Sequence, residues 1–453
     1  MAIATAAMIE AGDVEAVQTQ IVDRLRERPE DPSHWAEAGF FLQQIGNDAD
    51  AVGLLERAWL LGSRDIRIPY YLGVAYRALG RTVEAEGAFR QALALDDRYG
   101  DAWHHLGLAL AHQGRLAEAI DCFTAAEARL DGGGGLADRI WRTRFLAGDW
   151  DEAWRLCAAA IPEDIETRWR DLHGTGHRRW RGEPLSAQEI VLFSHGGNGD
   201  TIHYFRYLDQ MLAAGADRIT LIIQPALVRL ALASPIVAAA GPDRIRVMTT
   251  EDALEDRPGY FMWFEGLAMI YGAKPGAMAP WRPYLAPVPA RAAFWATRLA
   301  EGAGTRIGLV WRGSPAMPED CWRSIPLEQF LPLFGLPGRR WFALQQGPLS
   351  DDEAALLARA GVADLSADLS DFSETAAILV NLDLVITIDS APAHLGGALG
   401  RPTWMLNRAT SEWRWGWKQA ESFWYPTLRI FNQDRPGDWT PVIAAVEAAI
   451  IAF

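Results

Sequence analysis

Small and apolar positions recur along the first third of the chain at one spacing. Gly46, Gly80, Gly114 and Gly148 stand 34 residues apart. Ala51, Ala85, Ala119 and Ala153 keep that phase, as do Leu55, Phe89, Phe123 and Cys157, and Ala58, Ala92, Ala126 and Ala160. Gly39, Gly73 and Gly107 hold it one helix earlier. The pattern predicts helix pairs with small residues where the two helices touch and a glycine at positive φ in the turn between them. Beyond about residue 188 the rhythm changes. Short apolar runs, Ile190–Phe193, Ile219–Ile223, Arg306–Trp311, Trp341–Leu344 and Leu384–Ile388, read as buried parallel strands. Helices are predicted over 202–213, 373–382 and 439–453, the last with Val442, Ala445, Val446 and Ile450 on one face.

A fixed 34-residue period is the tetratricopeptide signature. The best unit runs Gly100 to Asp131, with Trp103, Leu106, Gly107, Leu110, Ala119, Phe123 and Ala126 in place. An incomplete unit precedes the array, with Val17, Ile21 and Pro29 in phase, and Gly132–Gly135 loosens it before the last unit. Such solenoids are protein-binding surfaces or spacers. The fold class expected is therefore α plus α/β. A repeat solenoid over 1–161 and a connector over 162–188 lead into two Rossmann-like halves, 189–290 and 291–438, and a terminal helix over 439–453. A proline- and aromatic-rich linker, Pro275–Pro289, joins the halves.

Composition narrows the function. The net charge is −15, which argues against nucleic acid or an anionic membrane as main partner. The 43 basic residues include only two lysines, Lys274 and Lys418, a bias of composition rather than of mechanism. Three separated cysteines, Cys122, Cys157 and Cys321, suggest neither a disulfide framework nor a zinc site. The first basic residue is Arg24, and no apolar run is long enough for a membrane span, so a cytoplasmic location is expected.

Two loops carry candidate chemistry. After Leu384–Ile388 come Asp389, Ser390, Ala391, Pro392, Ala393 and His394. A helix that starts at the carboxyl end of a buried strand is an anion site, with its N–H groups and His394 turned to a phosphate. The same residues also fit a structural βα turn. After Ile190–Phe193 comes Ser194-His-Gly-Gly-Asn-Gly-Asp-Thr201, which is neither a dinucleotide fingerprint nor a P-loop. The Asp-x-Asp triplets, Asp48–Asp50 and Asp149–Asp151, fall in repeat turns, so no metal-bridged diphosphate site is indicated.

Trp180–Leu185, Gly196–Ile202, Arg206-Tyr207, Arg323–Leu327, Leu344–Gly347, Asp389–Pro402, Trp413–Trp415 and Trp424–Phe431 together resemble bacterial tetratricopeptide-repeat glycosyltransferases. The second part also resembles heptosyltransferases. The resemblance implies the GT-B fold, a nucleotide-sugar donor as substrate with no separate cofactor and no metal, and a protein acceptor, possibly flagellin, recruited by the repeats. It implies that the terminal helix packs back on the first Rossmann-like half. It matches a Gly-Asp whose Asp is the base to Gly199-Asp200. It matches a diphosphate-holding Asp-Ser-small-small-x-His to Asp389, Ser390, Ala391 and His394. Asn198, Gly199, Arg312, Arg323 and Gln345 join the donor side, and His203 is placed on the acceptor side. Gln346 stands where relatives often have lysine. The competing expectations are a non-catalytic repeat adaptor with a degenerate domain, and a nucleotide-sugar epimerase.

Overall fold

A computed structural model describes residues 14–130, 135–159 and, with gaps at 160–165, 168, 172–173, 175, 253, 255–258, 279 and 315–319, residues 166–453. Most of the glycine loop expected at 132–135 lies outside the described residues. The chain divides into two compact units, Met1–Ala160 and Ile161–Phe453.

Every named element among the first unit's described residues is a helix. Helices Pro32–Gln44 and Asp48–Leu60, Arg67–Ala78 and Thr82–Leu95, Gly100–His112 and Leu116–Glu127, and Ala137–Leu146 and Trp150–Ala159 form pairs, preceded by Val14–Glu27. The 34-residue period has two physical causes. Gly46, Gly80, Gly114 and Gly148 all adopt positive φ, between 73° and 81°, and end the first helix of each pair. Gly39, Gly73 and Gly107 sit where a Cβ would come within 2.5, 2.5 and 2.6 Å of Leu55, Phe89 and Phe123. The bare glycine lets the second helix lay its largest side chain against the first. Leu55, Phe89 and Phe123 are accordingly buried in one continuous core.

The second unit holds two parallel sheets. The first has the order β1-β5-β2-β3-β4, with β1 His177–Arg179, β2 Glu189–Phe193, β3 Arg218–Ile222, β4 Ile245–Met248 and β5 Gly259–Trp263. The second has the order β11-β10-β9-β6-β7-β8. Its strands are β6 Thr305–Val310, β7 Arg339–Ala343, β8 Ala363–Asp364, β9 Leu384–Ile388, β10 Thr403–Asn407 and β11 Leu428–Asn432. Every residue of β9 and β10 is buried, as a central parallel strand covered on both faces requires. The expected strands are all present within two residues of their expected ends.

Three expectations change. The segment given to a connector contributes β1, which pairs with β5 as an edge strand. The helix expected over 202–213 starts earlier and is broken. Asn198–Tyr204 is α-helical, Phe205–Tyr207 is a tight 3₁₀ turn, and Leu208–Ala213 resumes the α-helix. The terminal helix Thr440–Ala452 does not bury its face on the first Rossmann-like half. Val442, Ile443, Val446 and Ile450 lie in the core of the second sheet, with Ile386, Trp404, Leu406 and Phe431. The stripe is too apolar to leave in water, and the β11 side of its own sheet is the surface it covers.

Candidate active site

Two strand-to-helix turns meet. β2 leads into the helix Asn198–Tyr204, and β9 leads into Ala391–Ala398; the two helices pack on each other. Gly199 makes the approach possible. A Cβ there would lie 2.9 Å from His394 Cδ2 and 3.3 Å from Ala391 Cα. Ser390 has extended backbone at the cap of the second helix, and Pro392 sits in its first turn. The Ser390 hydroxyl makes no capping bond and turns back to Thr387 Oγ1 at 3.1 Å and Ile388 O at 3.3 Å.

Asp200 is held at both oxygens. Oδ2 accepts the Gly197 N–H at 2.8 Å, and Oδ1 accepts Arg414 Nη2 at 2.6 Å. Arg414 is a nearly buried guanidinium. It also reaches Glu412 Oε1 at 2.9 Å and the Tyr204 hydroxyl at 3.1 Å. It thus ties the first sheet's helix to the 3₁₀ turn Trp413–Trp415 of the second half. Glu265 stands beside this pair. A Cβ on Gly196 would collide with both the Glu265 and the Asp200 carboxylates, so the two acids face each other across a bare glycine. Burial, and then the charge of Asp200, push the Glu265 carboxyl up to about 7.

On the second half, Asp389 Oδ1 accepts Trp415 Nε1 at 2.8 Å, and its backbone oxygen accepts Arg323 Nη1 at 3.0 Å. His394 stacks on Trp415 with ring centroids 4.9 Å apart. His203 and His394 both approach the Tyr425 hydroxyl, from Nδ1 atoms 2.8 and 3.0 Å away. Burial first, and then nearby charge that includes Arg206 and Arg414, drive both histidines well below the usual imidazole range; both rings are neutral at pH 7. Asn198 Oδ1 is buried with no hydrogen-bond partner among the described residues.

Asn198, Gly199, Asp200, Arg323, Asp389, Ser390, Ala391 and His394 are thus brought to one junction. Three expected site residues do not have the contacts expected of them. The Gln345 amide is saturated by backbone: Oε1 accepts the N–H groups of Trp311 and Arg312, and Nε2 donates to the carbonyls of Arg312 and Gln346. It staples the ends of β6 and β7 and has nothing left for a ligand. Arg312 spends its guanidinium on Glu353 at 3.2 Å and Pro348 O at 2.5 Å. His203 is 0 % exposed, walled by Tyr204, Trp424 and Tyr425, so it cannot touch an acceptor. Sequence reasoning passed over Arg414, Glu265 and Tyr425. Arg414 lies inside the Trp-Arg-Trp motif, where the flanking tryptophans are the more conspicuous residues. Glu265 is the one charge in the apolar run Tyr260–Ile270, which was a usable signal.

Residues 353–431 match glycosyltransferase family 9 (heptosyltransferase), and residues 72–101 and 100–129 match tetratricopeptide repeats. The chain therefore carries tetratricopeptide repeats ahead of a heptosyltransferase-family domain. A curated relative, Protein FlbA of Caulobacter vibrioides, is 29% identical over 296 residues, which are 61% of this chain and 48% of that protein. The chain thus matches about half the length of that relative. Among solved structures, MamA is 22% identical with a TM-score of 0.34, covering 36% of this chain and 96% of its own. A thermophilic repeat protein of Thermus thermophilus, TTC0263, is 22% identical with a TM-score of 0.29, covering 37% and 92%.

Proposed function

We propose that this protein is a GT-B glycosyltransferase that moves a sugar from a nucleotide-sugar donor to a hydroxyl of a protein acceptor, flagellin being the acceptor class the resemblance names. The repeats recruit that acceptor, and the enzyme works in the cytoplasm. The observation that carries this reading is the junction of Gly199-Asp200 with Ala391 and His394. It sets the loop residue Gly199, next to Asp200, against the start of the eight-residue helix Ala391–Ala398, and that helix lies within residues 353–431, which match glycosyltransferase family 9.

The donor diphosphate lies at the start of Ala391–Ala398, where backbone N–H groups, His394 and the Arg323 guanidinium stabilise the charge that grows as the sugar–phosphate bond breaks. These guanidinium and N–H donors supply the positive field without a metal. Asp200 takes the proton of the attacking hydroxyl as the new C–O bond forms, and the nucleoside diphosphate leaves with the electron pair. Arg414 orients Asp200 through its 2.6 Å hydrogen bond to Oδ1. Asn198 Oδ1 is the acceptor placed for a donor-side hydroxyl.

The test is a binding and hydrolysis panel. One of UDP, GDP, ADP or CMP should raise the melting temperature by mass action. The matching nucleotide sugar should be hydrolysed slowly. Asp200→Asn should cut turnover by about 10²–10⁴-fold while the nucleotide still binds. Unchanged turnover removes Asp200 as the base, and a panel with no binder removes the donor site. A degenerate adaptor would give the same blank panel while still capturing the protein partner.

A further inference from the structure

His203 comes from the first half and His394 from the second, and they share one hydroxyl. Tyr425 is completely buried, with its oxygen 2.8 Å from His203 Nδ1 and 3.0 Å from His394 Nδ1. A phenol has a single proton, so it donates to one imidazole and must accept from the other. The two neutral rings are therefore held in opposite tautomers.

The surroundings decide the direction. His203 Nε2 is buried and meets no hydrogen-bond partner among the described residues. An orphaned buried N–H is rarer and costlier than a bare acceptor, which places the His203 proton on Nδ1. That N–H donates to the Tyr425 oxygen. The Tyr425 O–H then donates to His394 Nδ1, and the His394 proton sits on Nε2. The Tyr284 hydroxyl also lies 3.4 Å from the Tyr425 hydroxyl, but both imidazole nitrogens are closer, at 2.8 and 3.0 Å, and Tyr284 also reaches His203 O at 3.3 Å and Arg206 Nη2 at 3.4 Å, so the two shorter imidazole bonds set the Tyr425 proton. His394 Cδ2, the carbon bonded to Nε2, faces the Gly199 position. The charged groups around the pair are the guanidinium of Arg206, whose carbon is 4.6 Å from the centre of the Tyr425 ring, and that of Arg414; both oppose protonation of either ring.

We propose that Tyr425 and His203 are positioning residues that lock His394 as a neutral Nε2–H donor toward an anionic oxygen at the Gly199–Ala391 junction. The lock itself needs no ligand; calling that oxygen the donor's phosphate rests on the function proposed above. His394 then contributes a directed hydrogen bond and no charge. Its share of nucleotide affinity stays constant between pH 6 and 8, where an exposed histidine would lose its proton.

The experiment is ¹⁵N-histidine NMR on the full chain, with His203 and His394 assigned from single variants. Without ligand, His394 should show the neutral Nε2–H pattern and His203 the Nδ1–H pattern across pH 6 to 8. Tyr425→Phe should leave His394 as a tautomer mixture and weaken nucleoside diphosphate binding about five- to tenfold, the loss of one oriented hydrogen bond. If the Phe variant does not fold, His203→Asn, which keeps a donor near the Nδ1 position, should preserve the His394 pattern, and His203→Leu should lose it. The Nδ1–H form at His394, or a pattern indifferent to Tyr425 and His203, overturns the lock. The expected pattern in a protein that binds no nucleoside diphosphate keeps the lock and overturns the donor site instead.

Discussion

At Asp200 two demands meet. In the proposed reaction it takes a proton, and here Arg414 and the Gly197 N–H occupy its oxygens while Glu265 crowds it. The second carboxyl absorbs the conflict. Its folded pKa is about 7 against an ordinary value of 4.5. The folded state thus holds this proton over a range where the unfolded chain has released it. The contribution to stability is greatest below about pH 4.5, declines as pH rises to about 7, and stays low above that. Glu265→Gln should therefore raise the melting temperature at pH 8 and leave it nearly unchanged at pH 4, as scanning calorimetry at both pH values will show. An equal gain at both would mean that the two acids do not interact. The sequence made Asp200 and His394 legible because each lies one step beyond a strand. It could not show Arg414, which is 214 positions from Asp200 and becomes its partner only when the two halves close.

At the scale of elements, glycine does opposite things at different places. Gly107 faces the Phe123 ring at a distance that leaves no room for a methyl group, whereas Gly87, inside Thr82–Leu95, has nothing within 4 Å of its missing Cβ. Gly107→Ala should destabilise the repeats by about 1–3 kcal/mol through overpacking. Gly87→Ala should stabilise them by about 0.5–1 kcal/mol through lower backbone entropy of the unfolded chain. Denaturant melts of the full chain followed by circular dichroism separate the two, and the same sign for both would refute the packing account. The repeats were readable because their contacts are local: Gly39, Gly73 and Gly107 each stand 16 residues before the side chain they admit, Leu55, Phe89 and Phe123. The helix after β2 was read less well. Its apolar period continues through Phe205–Tyr207, but the backbone there tightens into a 3₁₀ turn. Arg206 then donates to His203 O and Trp424 O at 2.9 and 3.0 Å, and no local pattern announces those bonds.

For the whole molecule, the proposed division of labour follows the two compact units. Removal of residues 1–160 should leave hydrolysis of the nucleotide sugar within about twofold, because every residue placed at the junction lies beyond them, while modification of the protein acceptor falls at least tenfold. Mass spectrometry of the acceptor alongside a nucleotide-release assay checks both; acceptor modification that survives the deletion removes the recruiting role. Among the described residues, no helix is long and apolar enough to cross a membrane. The sequence by itself determined the repeat solenoid, the strands β2, β3, β6, β7 and β9 and the two candidate loops, because period, burial of β-branched runs and turn residues are written within a few tens of positions; β1, β4, β5, β8, β10 and β11 were not read from it. Only the tertiary structure decided where the terminal helix lies, that Gln345 is a staple and Arg312 is tied to Glu353, and that His203 is buried. It also decided that Arg414, Glu265 and Tyr425 complete the junction. Those outcomes depend on which surfaces meet when two sheets from distant parts of the chain pack together, and on which polar atoms find partners there, neither of which a local pattern encodes.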